Sequence, residues 1–232
     1  MKTFSKKTPK EKEWQKLEKL QITLDVAFAK AFTVIFEKGT GVIEKTYNRE
    51  EIQKSYQIDE YTAGVRQNHK SLKTFSKKAG NAGRINLLMS GVSGVGLGVL
   101  GIGLPDIALF TGLMLKGIYE IALRYGFDYE TEEERQFVLL IIQGAVAYGK
   151  EFQSIDGLLN EYIRQGCFVQ TQNTETLITE AARGLSGELL YMKFLQGIPI
   201  VGAVGGAYDA IYMKNIMEYA ELKYHRRFLC RI

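Results

Sequence analysis

The sequence predicts an all-α fold: one helical domain with two central Gly-rich apolar segments. Three observations point there. Apolar residues recur three or four apart through most of the chain, the spacing of one helix face. Helix-start signals stand ahead of these stretches. No stretch alternates apolar and polar residues between turn signals, as a half-buried strand would. The 232 residues, 46% hydrophobic and 24% charged, are enough to bury a core and are not the composition of a disordered chain.

Taken in order, Thr8-Pro9-Lys10-Glu11 reads as a capping box with Pro at the first helical position. Trp14, Leu17, Leu20, Leu24, Phe28, Ala31, Phe32 and Ile35 form one apolar stripe behind it, ending near Gly39 and Gly41. Asn48 caps a helix opening with Glu50 and Glu51. Residues 59–79 read as a polar helix with a basic face. Pro105-Asp106 starts a helix running to Tyr125, with Gly126 as its C-cap. Thr131 and Glu134 make another capping box, for a helix reaching about Gly149. A shorter helix is expected over 154–164, a long one over 174–195, and a last amphipathic one over 207–228. Eight to ten helices are expected in all. The chain divides into a basic N-terminal helical region, 1–58, lying outside, and a helical domain, 59–232.

Charge is unevenly placed. The net charge is +4, and residues 1–20 alone, with seven Lys and three Glu, account for all of it. A second basic run, Arg66, Lys70, Lys73, Lys77, Lys78 and Arg84, contains no acid. It meets a stretch without charge, residues 85–104, that carries six glycines. Gly94 and Gly98 make a GxxxG pair, a spacing that lets helices approach closely. A basic run beside an uncharged one suits an anionic membrane surface; a buried helical hairpin suits the same composition. Lys70, Lys73, Lys77, Lys78 and Arg84 are the expected membrane contacts. Nucleic acid is not an expected partner, because only Phe75 interleaves the basic run. The first twenty residues lack a secretory h-region, so a cytoplasmic location is expected.

No catalytic signature is present. Gly96–Gly101 matches GxGxxG, but outside the strand-to-helix setting that makes it a dinucleotide site. Gly144 to Lys150 begins like a phosphate loop, yet Glu151 stands where Ser or Thr would hold magnesium. Two cysteines, Cys167 and Cys230, and two histidines, His69 and His225, are too few for a disulfide framework or a zinc site. Cys167, among apolar neighbours, reads as a buried structural residue, and His225 as a surface or packing residue. No cofactor is expected. Asp106 and Asp209 are the weak catalytic candidates: each follows a Gly-rich apolar stretch, and two carboxylates brought together can divide acid and base roles.

Several blocks resemble the EcsC protein family. They are GVLGIGLPD at 98–106, Tyr125-Gly126-Phe127-Asp128, Glu132 to Arg135, Gly197 to Gly206, and Tyr224-His225-Arg226-Arg227-Phe228. The resemblance covers about residues 60–230. The matching positions are Gly101, Gly103, Pro105, Asp106, Tyr125, Gly126, Arg135, Pro199, Gly202, Gly206 and Arg227. Asp209 departs from the Asn of the family's tail block. The family is named for a bacterial protein encoded beside the two components of an ABC transporter, with no established biochemical role and no assigned catalytic residue. The resemblance therefore implies a non-catalytic accessory protein at the cytoplasmic membrane surface, with transporter components as partners. The alternative is a hydrolase-type enzyme using buried carboxylates in a central pocket.

Overall fold

The computed structural model describes residues 9–37, 48–56, 105–168, 173–195 and 207–231. Within them, the side chains of 9–14, 105–106, 192–195 and 207–211 are outside the description. Seven helices make up the described residues, without a strand among them. They are α1 (Pro9–Glu37), α2 (49–56), α3 (Pro105–Arg124), α4 (Glu132–Val146), α5 (Gly149–Gln165), α6 (Thr174–Leu195) and α7 (Ala207–Arg231).

Local chemistry sets most of the boundaries. Pro9 and Pro105 occupy first helical positions, where a missing N–H costs nothing. The Asn48 side chain accepts from the Glu51 N–H at 3.1 Å. Thr131 caps α4 by accepting from the Glu134 N–H at 3.2 Å. Thr131 alone completes this cap; the Glu134 carboxylate points inward to other partners. Asn173 caps α6 in the same way, at 3.1 Å from the Thr176 N–H. Gly166 ends α5 in the left-handed region, and its N–H reaches the Tyr162 carbonyl.

α5 begins at Gly149, earlier than the sequence suggests, because its N-cap, Tyr148, offers no side-chain bond that a reader could recognise. The expected basic helix over 59–79 and both Gly-rich segments lie outside the described residues. So do Lys70, Lys73, Lys77, Lys78, Arg84, Gly101, Gly103, Pro199, Gly202 and Gly206.

One core runs through the bundle. α4 is buried on almost every face, from Glu134 to Gly144. α1 packs along α6 and also touches α3. This corrects the expectation of an outlying N-terminal helix: Ala31 and Phe32 are fully buried. The charges of α1 belong to its first half, and the apolar stripe of its second half seats it in the core. The helix over 49–56 is tied to the α3–α4 loop by Arg49, which pairs with Asp128 at 3.1 Å and Glu130 at 2.7 Å.

α3 carries a charged row through this core. Glu120 meets Arg124 at 3.2 Å and Lys116 at 3.8 Å, one helical turn on either side. Burial pushes the Glu120 carboxyl above its ordinary range, against the pull of both cations.

Gly126 is a position where glycine is required. Its φ is +76°, which costs any residue with a Cβ about 1–2 kcal/mol. A Cβ there would also lie 2.3 Å from the Tyr56 ring. Gly126→Ala should therefore lower the thermal midpoint by several degrees, at about 2–4 °C per kcal/mol for a chain of this size. A variant melting with the wild type would contradict the assignment.

Candidate functional site

Contacts between helices give the bundle two distinct ends. α4 and α6 run parallel: Gln136 bonds Thr174, and Gly184 lies against Val146. α7 runs antiparallel to α4, with Gly144 against Tyr219 and Glu134 against Arg227. α5 and α7 run parallel, from Phe152 beside Tyr219 to Asn160 beside Arg226. α1 runs against α6, with Gln21 on Ser186. At the far end of α1, Arg135 lies over the Phe36 ring. Hence α3, α5 and α7 begin at one end, here the upper end, which also receives the first half of α1 and the close of α6.

The upper end holds the candidate site. Phe28 of α1, Ile107 and Phe110 of α3, Leu185 and Leu189 of α6 and Tyr212 of α7 line a pocket with Glu188 beside them. Its free space is about 20 Å³, room for about one water molecule. The Glu188 carboxylate accepts from the Tyr212 hydroxyl at 3.0 Å and the Tyr148 hydroxyl at 3.2 Å, both on the same oxygen, Oε2. Burial and the nearby Glu188 charge push both phenols above their ordinary range, so both stay protonated donors. Beside the pocket, buried Ser186 donates to Asp25 and accepts from Gln21 at 2.7 Å, tying α6 to α1. Ile22, Val26, Tyr148 and Tyr191 are exposed on this half of the molecule; Leu158, Leu222 and Leu229 are exposed elsewhere. Lys16 and Lys19 of α1 are exposed beside them.

The lower end is a closed polar cluster. Arg227 sends Nη1 to both Glu134 oxygens, at 2.9 and 2.6 Å. Tyr224 donates to the same carboxylate at 2.6 Å, and Arg227 Nη2 reaches the Tyr162 hydroxyl at 3.1 Å. The guanidinium lies 4.1 Å from the Phe127 ring centre and 4.9 Å from that of Phe137. Burial pushes the Glu134 carboxyl up, and Arg227 and Tyr224 pull it back without restoring the ordinary value. Burial lowers the Arg227 guanidinium, and Glu134, Tyr224 and Tyr162 together more than offset this, leaving it raised. Every polar group here meets another in the protein, which is the signature of a structural tie. A similar tie joins α5 to α7. Asp156 accepts from Lys223 at 2.6 Å and Tyr219 at 2.7 Å.

The residues marked in the sequence divide between these ends. Tyr125, Gly126, Arg135 and Arg227 are at the lower end. Tyr125 donates to Glu221, and His225 stacks on its ring with centroids 5.8 Å apart. Pro105, Asp106 and Asp209 belong to the first turns of α3 and α7, at the upper end. The side chains of Asp106 and Asp209 are outside the described residues. Cys167 is exposed, correcting the expectation of a buried thiol: the left-handed turn at Gly166 carries it off the end of α5. Cys230 is exposed as well. Gly144, read from sequence as the start of a phosphate loop, sits inside α4 against Tyr219. Sequence reasoning missed Glu188, Tyr148 and Tyr212. The one available signal was an acid inside the apolar stretch Leu185–Leu190; its tyrosines come from 40 and 24 residues away. No group of three or more His, Cys, Asp or Glu among the described residues is placed to hold a metal ion. No helix among them is long and apolar enough to cross a membrane.

Comparison with known proteins gives a family. The model of the EcsC protein family matches residues 1–229, so the match includes α1, ahead of the blocks at 98–228. An uncharacterized protein of Bacillus subtilis (strain 168), YdbA, is 28% identical over 125 residues. That stretch is 53% of this chain and 45% of the relative, so the match spans about half of each. No solved structure matches.

Proposed function

The chain belongs to the EcsC protein family, and from that premise we propose that it is a non-catalytic accessory protein that docks on the cytoplasmic face of the cell membrane. The upper end of the bundle is the docking face, and components of an ABC transporter are its neighbours there. One observation carries the reading. The two uncharged Gly-rich stretches, 85–104 and 197–206, lead directly into α3 and α7. Ile107 and Tyr212, near the starts of those helices, line one pocket. Both apolar stretches therefore join the bundle at the same end. The exposed Ile22, Val26, Tyr148 and Tyr191, with Lys16 and Lys19, add the mixture of apolar and basic groups that a headgroup layer accepts. The basic run from Arg66 to Arg84 directly precedes the first apolar stretch. Each Lys or Arg near an anionic surface contributes about 1 kcal/mol.

Vesicle flotation tests this. The protein should float with vesicles rich in phosphatidylglycerol at low salt and be largely released at about 1 M salt, where screening is complete within about 3 Å. Replacing Lys70, Lys73, Lys77, Lys78 and Arg84 together by Glu should abolish flotation while leaving the thermal midpoint in place. A protein that ignores anionic vesicles at low salt contradicts the proposal.

A further inference from the structure

We propose that Glu188, with Tyr148, Tyr191 and Tyr212 around it, is a binding site for an organic ammonium ion that carries a small apolar group. Three carboxylates in the bundle's ties, Glu120, Glu134 and Asp156, each face a Lys or Arg at 2.6 to 3.2 Å, whereas Asp25 is held by Ser186 and Gln21. Glu188 is half-buried, and tyrosines are its partners; among the described residues no Lys or Arg pairs with it. A half-buried carboxylate held by two neutral donors has given up part of its water without meeting a cation, so a cation gains from reaching it.

The geometry leaves room for one. Both phenol hydroxyls converge on Oε2, so that, among the described residues, Oε1 is left to accept from a ligand N–H or to face a quaternary ammonium. Tyr191 stands three residues beyond Glu188 on α6, on the same helix face, and its ring is exposed. Tyr148 is 70% exposed, so the site is open to solvent on that side. Aromatic rings around a negative charge form the setting that attracts alkylated ammonium ions.

The remaining wall sets the chemical class. Phe28, Ile107, Phe110, Leu185 and Leu189 form an apolar pocket beside the carboxylate, with about 20 Å³ free. A hydrated metal ion would find one carboxylate and apolar walls, a poor exchange for its water shell. A methylated ammonium presents charge to Glu188 and a single methyl group to the pocket, which has room for one group of that size. The same chemistry is offered by a free amine such as choline and by the headgroup of a choline lipid. The site is formed by contacts within the bundle and needs no membrane to assemble, although Tyr148 and Tyr191 also belong to the proposed docking face.

The test is titration of the full-length protein with choline, followed by the ring proton signals of its tyrosines and by calorimetry. Its uncharged isostere, 3,3-dimethylbutanol, is titrated in parallel. Choline should bind, and the isostere should bind at least ten-fold more weakly. Glu188→Gln, which keeps shape and removes charge, should weaken choline at least ten-fold at an unchanged thermal midpoint. Tyr148→Ala removes an exposed ring that the core does not need, and should weaken choline several-fold. A second arm presents the headgroup on phosphatidylcholine vesicles: Glu188-dependent binding there assigns the site to lipid, and binding of free choline alone assigns it to a soluble amine. Equal binding of choline and its isostere, or choline binding unaffected by Glu188→Gln and Tyr148→Ala, would overturn the proposal.

Discussion

Arg227→Ala should destabilise the protein by about 3–5 kcal/mol, the loss that follows when one partner of a buried ion pair is removed. The reason lies in what is left behind. Glu134 is almost wholly buried and receives Nη1 of Arg227 on both oxygens. Without the guanidinium it keeps one donor, Tyr224. Burial already holds the carboxyl above its ordinary range with Arg227 in place, so the variant moves it higher still. A carboxyl raised in the folded state binds a proton more tightly there than in the unfolded chain. Stability of the variant should then be greatest at acid pH, below the unfolded carboxyl pKa, and fall as pH rises through the raised folded value. Wild type, with Arg227 opposing the shift, should show a weaker fall over the same range. Denaturant unfolding at pH 4 and pH 7 reads both. The double variant Glu134→Leu with Arg227→Met should recover much of the loss, because apolar residues of similar volume can replace a buried ion pair. A single variant close to wild type in stability at pH 7 would mean that the cluster is solvated and not a tie.

The second large effect should come from Phe137→Ala, at about 3–5 kcal/mol. Phe137 is fully buried in α4. Its ring meets Tyr162 at 5.0 Å and Tyr224 edge-on at 5.3 Å, with the Arg227 guanidinium 4.9 Å away. Truncation leaves a cavity among three helices and removes one face from the cation. Because Phe137 and Arg227 share these neighbours, the two losses should not add: the double variant should be less unstable than their sum by more than about 0.5 kcal/mol. A sum within that margin would show that the ring and the guanidinium act separately.

The helical class and most helix boundaries were legible because they rest on local chemistry. Thr131 and Asn48 are caps that a reader can see, and Gly126 is a C-cap whose φ confirms its role. Where the local signal was absent, the reading slipped. The start of α5 has no side-chain cap, so its first turn was invisible. The charges of residues 1–20 suggest an outlying helix, but the apolar stripe from Leu24 to Ile35 outweighs them and places α1 in the core. Cys167 has apolar neighbours in sequence, but exposure is decided by the direction in which the chain leaves Gly166. Neither polar cluster was legible as a unit. Arg227 and Glu134 were both marked in sequence, each for a different reason, and nothing in their spacing of 93 residues pairs them. Glu188 meets its tyrosines through the packing of α6 against the α4–α5 turn and α7. Such a cluster comes from tertiary geometry and leaves no motif.

The central claim, that the upper end of the bundle faces the membrane, has a direct test within one helix. Lys150 and Cys167 are both exposed and stand at opposite ends of α5, about 25 Å apart at a rise of 1.5 Å per residue. A polarity-sensitive dye is placed at Cys167 in a Cys230→Ser background, or at Lys150→Cys in a background with both native cysteines replaced by serine. On addition of phosphatidylglycerol vesicles at low salt, emission from position 150 should shift to the blue and emission from position 167 should not change. A shift at position 167 without one at position 150 would contradict the account, because the lower end would then be the face that meets lipid.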